Sequence, residues 1–135
     1  MNAKVIAVES SSAGHTALNV GLWAVQIGAA AMFFMAGGSK LTGAPQMVGM
    51  FEAIGIGQWF RYLTGSLEVS GALLLLIPAL SGVGGLLLTG VMFGAVATHL
   101  LIIGGNPAMA IALLLASAFI AWGRKERTLA LIQKH

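Results

Sequence analysis

Four long apolar stretches, separated by short polar or glycine-rich segments, dominate the chain. They run over residues 16–38, 62–80, 83–103 and 107–123. Each predicts one membrane-spanning helix, because about 20 mainly apolar residues are needed to cross a bilayer. The short connections make neighbouring helices antiparallel. The pattern therefore predicts an all-α fold, an integral membrane four-helix bundle that forms one transmembrane domain over residues 16–123.

A shorter apolar pattern lies between the first two spans. In residues 45–54, PQMVGMFEAI, the side chains of Met47, Met50, Phe51 and Ile54 recur at helical spacing on one face. A segment of this length is too short to cross a bilayer. It predicts a short amphipathic helix that lies in the membrane interface and caps the extracytoplasmic mouth of the bundle.

The flanking segments are polar. Residues 1–15 predict a loosely held N-terminal arm, and residues 124–135 predict a basic tail. Basic residues near the span ends are unequally distributed, because only Lys40 and Arg61 lie on the side opposite the termini. The other side holds Lys4, Arg124, Lys125, Arg127 and Lys134. Since Lys and Arg favour the cytoplasmic side, both termini, and with them the arm and the tail, are predicted to be cytoplasmic.

The composition excludes several classes of protein. The chain has 135 residues, of which 58% are hydrophobic and 8% are charged, whereas soluble domains carry about 25% charged residues. The lipid bilayer is therefore the first expected partner. The sequence has no cysteine, which excludes disulfides, thiolate metal sites and cysteine redox chemistry within the chain. Nucleic-acid binding is not expected, because the basic residues lie beside predicted spans.

One carboxyl group lies inside an apolar span. Glu68 occupies the stretch RYLTGSLEVSGALLLLIPAL, where a charged side chain costs roughly 2.5–3.5 kcal/mol on insertion scales and marks a functional site by default. His99 lies at a similar depth on the adjacent third span, judged from the helical rise. Glu68 and His99 are therefore the predicted catalytic pair, within one hydrogen bond or one bridging water of each other.

Other polar residues are candidates for binding a ligand around this pair. They are Lys40, Arg61, Glu52, Gln26, Thr64 and Asn106. Lys40 or Arg61 would attract an anion or a quinone oxygen, whereas a glutamine at the depth of Gln26 more often makes an interhelical hydrogen bond. The structural alternative is that Glu68 pairs with Lys40, Arg61 or His99 in a buried ion pair that fixes helix register.

The histidines and carboxylates of the sequence do not predict a haem or metal site within one protomer. His15 and His99 fall near opposite surfaces of a bilayer core about 30 Å thick, so haem ligation by two histidines of one protomer is not expected. His99, Glu68 and Glu52 show none of the local spacing typical of a metal site. No metal is therefore assigned, and the sequence leaves the cofactor open, with a quinone as one candidate.

Three sequence segments resemble a known family. GGSKL ends the first span, GSLEVSGALLLLIP lies in the second, and VMFGAVATHL lies in the third. Together they make residues 21–122 similar to the DoxX-like group of small four-helix membrane proteins, which is named for a membrane subunit associated with thiosulfate:quinone oxidoreduction. The resemblance implies a bacterial inner-membrane location and a quinone-linked redox partnership. Because cysteine is absent, electrons from sulfur would need a partner protein or a direct substrate-to-quinone step.

These observations leave three functional hypotheses. The first is a membrane subunit or redox accessory, with a polar site for a quinone or other small lipophilic ligand in the outer half of the bundle. The second is a structural or assembly module without a ligand. The third is a stand-alone membrane enzyme that uses Glu68 and His99 as an acid/base pair. A redox subunit and further copies of the chain, in a homo-oligomer, are candidate protein partners, and the sequence does not decide between them.

Overall fold

The computed structural model describes the backbone of residues 3–133 and the side chains of residues 14–133. Over that part of the chain the predicted all-α class is confirmed, since every regular element is a helix. The α-helices are α1 (Ala3–Thr42), α2 (Pro45–Ile54), α3 (Trp59–Leu76), α4 (Ser81–Thr98), α5 (Ala108–Gly123) and α6 (Lys125–Gln133). A 3₁₀ turn (Pro78–Leu80) leads into α4, and a π-helical segment (His99–Ile103) continues it.

Two helical stretches are long and apolar enough to cross a membrane, namely Gly14–Thr42 within α1 and Pro78–Ile103. A third candidate arises if α5 and α6, which meet at an angle of 54°, are taken as one bent span. α3, which contains Arg61 and Glu68, is not among these candidates. The described chain therefore has two or three apolar membrane-span candidates.

The start of α1 differs from the prediction. Instead of a loose arm over residues 1–15, the chain is helical from Ala3 onward. The segment AKVIAVESSSAG contains no proline and only one glycine, at its end. Nothing in it therefore breaks a helix that continues into the apolar stretch. The C-terminal segment is also helical and forms α6.

The four longer helices pack around a common apolar core. α1 packs along α3, α3 against α4, and α4 against α5, which also contacts α1. Contacts of Gly37 with Gly65 and of Gln26 with Leu75 show that α1 and α3 are antiparallel. The core consists of Ala29, Ala30, Phe33, Ala72, Leu75, Leu88, Met92 and Ile120.

The short helix predicted over residues 45–54 is present as α2. Pro45 begins it, as expected for a residue whose fixed φ suits the first helical turn. Gly55 ends it with a φ of 88°, a left-handed conformation that favours glycine. α2 contacts α1, α3 and the π-helical segment, and Phe51 is buried.

We call the end of the molecule that carries α2 the Lys40 end, and the opposite end, where α5 meets α6, the Arg124 end.

Candidate functional site

A buried ion pair joins α1 to α3. Lys40 Nζ lies 2.9 Å from Glu68 Oε1, and the two side chains are 14% and 1% exposed. Helical side chains lean toward the N-terminus of their own helix. Because α1 and α3 are antiparallel, Lys40 leans into the molecule while Glu68 leans toward the Lys40 end. The two charged groups therefore meet, as one of the three predicted pairings requires.

Two glycines bring the helices close enough for this pair. A Cβ atom added to Gly65 would lie 2.9 Å from Lys40 Cβ and 3.0 Å from the carbonyl oxygen of Gly37. A Cβ atom on Gly37 would lie 2.8 Å from the carbonyl oxygen of Gly65. These distances are too short for van der Waals contact, so this approach of α1 to α3 requires glycine on both helices.

Arg61 binds the C-terminal end of α1. Its Nε donates a hydrogen bond to Gln58 Oε1 over 2.7 Å, and its Nη1 donates to the carbonyl oxygen of Lys40. Its guanidinium carbon also lies 4.3 Å from the centroid of the Tyr62 ring. A cation that binds the last carbonyl groups of a helix stabilises its C-terminus. Arg61 is thus buried in a structural contact between α1 and α3.

Next to the ion pair lies a cavity of about 610 Å³. This volume is within the range of about 300–1,000 Å³ typical of small-molecule sites. Its polar lining residues are Lys40, Thr64, Glu68, Thr98, His99 and Asn106. The rest of the lining is mainly apolar and includes Met47, Met50, Phe51 and Ile54, the predicted apolar face of α2. The cavity therefore combines an apolar wall with a small polar cluster.

His99 lines this cavity where α4 gives way to the π-helical segment. Its Nδ1 lies 3.0 Å from the carbonyl oxygen of Ala95. Since a carbonyl group only accepts hydrogen bonds, Nδ1 carries the proton in this contact, and Nε2 is an acceptor whenever the ring is neutral. Single π-helical turns occur frequently at functional sites, and here one places an imidazole beside the cavity.

Of the two contacts predicted between Glu68 and His99, the direct hydrogen bond is not observed among the described side chains, and a bridging water stays a prediction. Glu68 Oε1 pairs with Lys40, and His99 Nδ1 contacts the backbone of Ala95. Both side chains nevertheless line the same cavity. Glu68 Oε2 is buried and receives no hydrogen bond from any described protein group. A buried acceptor without a protein partner therefore lies beside the cavity.

Of three other predicted ligand-binding residues, two line the cavity and one does not. Thr64 and Asn106 line the cavity, and each also makes a local hydrogen bond. Thr64 Oγ1 donates to the carbonyl oxygen of Phe60, and Asn106 Oδ1 accepts from the amide of Ala108, both over 2.9 Å. Glu52 is exposed on α2 and is not part of the cavity lining.

Gln26 lies outside the cavity and joins α1 to α3 and to the turn between α5 and α6. Its Nε2 donates to the carbonyl oxygen of Leu75 over 2.7 Å, and its Oε1 accepts from Arg124 Nε, also over 2.7 Å. Arg124 Nη1 in turn donates to Asn19 Oδ1 over 2.9 Å. Gln26 therefore makes interhelical hydrogen bonds, the more frequent role for such a residue. The sequence signal that was missed is the i, i+7 spacing of Asn19 and Gln26, which places two amides on one face of α1.

The helices and their buried polar contacts define the class of protein. Long helices that are apolar on nearly all faces, with charged groups paired inside, are typical of integral membrane proteins. Residues 24–123 match the DoxX-like family. Because the match covers most of the chain, this small membrane protein belongs to the DoxX-like family. Comparisons with curated proteins and with solved structures gave no match.

Proposed function

We propose that this protein binds a small lipophilic ligand of the quinone class in the cavity at the Lys40 end, and acts as a membrane subunit or redox accessory. The observation that carries the proposal is that the cavity of about 610 Å³ is lined by Glu68, whose buried carboxylate oxygen Oε2 has no partner among the described protein groups. A buried polar atom left unpaired costs free energy, and a ligand hydroxyl would satisfy it.

The donors and acceptors of the cavity suit a quinone head group. The carbonyl oxygens of a quinone need hydrogen-bond donors, which the Lys40 ammonium and the Asn106 side-chain amide supply. The hydroxyl groups of a quinol need acceptors, which Glu68 Oε2 and His99 Nε2 supply. The apolar lining contributed by α2, α3, α4 and α5 would contact the ring and the tail. Both redox forms of such a ligand therefore find complementary groups.

A bound quinone would supply two-electron redox chemistry. The residues of this chain would orient the head group and exchange protons with it, through Glu68 Oε2 and His99 Nε2. The sequence has no cysteine to carry electrons from sulfur, so a partner protein supplies the electrons in the proposed role. This assigns binding and proton transfer to the cavity and electron delivery to the partner.

The proposal includes a membrane topology. The proposed topology has four spans, formed by α1, α3, α4 with its π-helical extension, and α5. Both termini lie in the cytoplasm of a bacterial cell, and the protein lies in the inner membrane. The unequal distribution of Lys and Arg supports this orientation. Exposed aromatic side chains occur at both ends, with Trp59 and Tyr62 at the Lys40 end and Trp122 at the Arg124 end. Such residues typically mark the two membrane interfaces.

A structural or assembly module without a ligand is the second candidate. It is favoured by the two buried polar contacts that already join the helices, Lys40 with Glu68 and Gln26 with Arg124. In that case the charged pair fixes the register of α1 on α3, and the cavity is a packing defect. The two candidates differ in whether Glu68 matters for ligand binding or only for the fold.

Titration of the purified protein in detergent with the reduced, quinol form of a short-chain ubiquinone analogue tests the proposal, because the hydroxyl groups of the quinol need the acceptors Glu68 Oε2 and His99 Nε2. We expect saturable binding at one site per chain. Glu68→Gln and His99→Ala should each weaken binding about tenfold or more, because Glu68→Gln replaces a charged acceptor by a weaker neutral one and His99→Ala removes an acceptor. Glu52→Gln is the matched control, because Glu52 is exposed and lies outside the cavity.

The structural candidate predicts a different outcome. If the protein shows no saturable binding, or if Glu68→Gln binds the analogue as tightly as the natural protein and Glu52→Gln do, the ligand site is refuted. Circular dichroism of each variant shows whether it has folded. A folded Glu68→Gln protein with lost binding separates the two candidates.

A further inference from the structure

A second cleft, of about 580 Å³, lies at the Arg124 end between α1 and the corner where α5 meets α6. It shares no lining residue with the cavity at the Lys40 end. Its polar and charged lining includes His15, Asn19, Arg124, Lys125, Glu126 and Arg127. This cleft therefore has a chemistry of its own, with three cationic side chains against one carboxylate.

None of the three cations of the cleft forms a salt bridge with a described carboxylate. Among the described side chains, the salt bridge lies at the other end of the molecule. Arg127 Nη1 donates to the carbonyl oxygen of Pro78 over 2.8 Å, and Lys125 Nζ lies 5.4 Å from the ring centroid of Trp122. The Pro78 carbonyl group and the Trp122 ring are both neutral. The positive charge of the cleft is therefore available to bind an anion.

Arg124 adds a donor that has no acceptor among the described residues. The residue is 6% exposed, and its Nε and Nη1 are held by Gln26 and Asn19. Its Nη2 is buried and makes no hydrogen bond to any described protein group. A guanidinium fixed in this way is preorganised for an oxyanion, which forms the strongest hydrogen bonds with arginine.

The start of α6 supports the same ligand. α6 begins at Lys125, directly after Arg124, and its first turn presents amide groups that have no partner within the helix. The amides of Arg127 and Thr128 are bonded to the carbonyl oxygen of Arg124. The amides of Lys125 and Glu126 lie before the first hydrogen-bonded amides of α6. The free amides at a helix N-terminus attract phosphate groups.

We propose that this cleft binds a phosphate group, carried by an anionic lipid headgroup or by free inorganic phosphate. Position favours the lipid as the source, because Trp122 and the α6 side chains Leu129 and Ile132 are exposed, as suits a membrane interface. Glu126 opposes the bound anion, so its carboxylate sets a limit on the affinity. The proposal is independent of the quinone site, since the two clefts share no lining residue.

Native mass spectrometry of the delipidated full-length protein, titrated with phosphatidylglycerol or phosphatidylcholine, tests this inference. We expect phosphatidylglycerol to bind more tightly. Lys125→Gln should weaken its binding about fivefold, as expected for one basic residue at an anionic surface. Glu126→Gln should strengthen it by a similar factor, because it removes the opposing charge. Both residues are exposed, so these variants test charge without disturbing a buried contact.

A further arm identifies the source of the phosphate. If inorganic phosphate displaces the lipid and binds in its absence, the ligand is soluble phosphate. If inorganic phosphate has no effect while phosphatidylglycerol binds, the ligand is the lipid headgroup. Equal binding of the two lipids together with no binding of inorganic phosphate would overturn the proposal. Preferred binding of phosphatidylglycerol that neither Lys125→Gln nor Glu126→Gln changes would also overturn it, because the lipid would then occupy another surface.

Discussion

At the scale of single residues, Lys40 and Glu68 link the stability of the molecule to its proposed site. Their charges are buried together, between α1 and α3 and beside the cavity. A buried pair adds little net stability, because desolvation offsets the attraction, but loss of one partner leaves the other charge unpaired. The same side chains therefore fix helix register and provide the polar end of the cavity.

Lys40→Met should destabilise the protein by about 3–5 kcal/mol, because it leaves the Glu68 carboxylate buried and unpaired. Adding Glu68→Leu should restore most of the lost stability, since the double variant holds no unpaired charge. Unfolding in mixed detergent micelles measures both changes in free energy. The interpretation fails if Lys40→Met costs no more than the double variant.

The identity of the partner of Glu68 shows how far the sequence could predict this site. The depth of Glu68 and its need for a partner followed from the pattern, and Lys40 was one of three candidates. The choice among them depends on the rotation of α1 and α3 about their axes. Helices that are apolar on nearly all faces give little information on that rotation. For the same reason the sequence did not predict the contact between Arg124 and Gln26, which are far apart in the chain.

At the scale of helices, the contact between α1 and α3 depends on glycine. Gly37 and Gly65 face each other, and neither has room for a Cβ atom. Gly38 is the next residue on α1, and nothing lies within 4 Å of a Cβ atom added there. This neighbour provides a matched control for the effect of close packing.

Gly65→Ala should destabilise the protein by about 1–3 kcal/mol, because the added methyl group forces α1 and α3 apart. Gly38→Ala should be neutral or stabilising by up to about 1 kcal/mol, because alanine favours the helix more than glycine does. Thermal unfolding followed by circular dichroism compares the two. Equal effects would mean that the helices do not approach each other at Gly65.

The elements themselves were predictable to different degrees. α2 was predicted with its observed bounds, because a proline, a glycine and a one-sided apolar spacing mark it in the sequence. The π-helical segment was not predicted, since no residue type in HLLII distinguishes it from an α-helix. It matters for the site, because it begins at His99. The early start of α1 was not predicted, because the mixed polar segment that precedes the apolar stretch has no apolar stripe of its own.

At the scale of the whole molecule, the two ends carry different chemistry. The Lys40 end holds the apolar cavity with its buried carboxylate, and the Arg124 end holds the cationic cleft. The order and approximate positions of the helices followed from hydropathy. Their packing order, with α1 against both α3 and α5, required the structure.

Labelling of single cysteines tests the proposed orientation, and the natural sequence provides a cysteine-free background. Ala53→Cys lies on the exposed side of α2 at the Lys40 end, and Gln133→Cys lies at the end of α6. In intact bacterial cells, a membrane-impermeant thiol reagent should label position 53 and not position 133. Position 133 should react only after the cells are made permeable. Labelling of position 133 alone in intact cells would reverse the orientation.

The most direct test of the central claim is to ask what the natural protein carries in its cavity. Native mass spectrometry of protein extracted gently from its own membrane reports subunits and retained small molecules together. We predict one small lipophilic ligand of the quinone class per chain, present in the natural protein and in Glu52→Gln but lost from folded Glu68→Gln. The claim is contradicted if the natural protein carries no such ligand, or if Glu68→Gln retains it to the same extent.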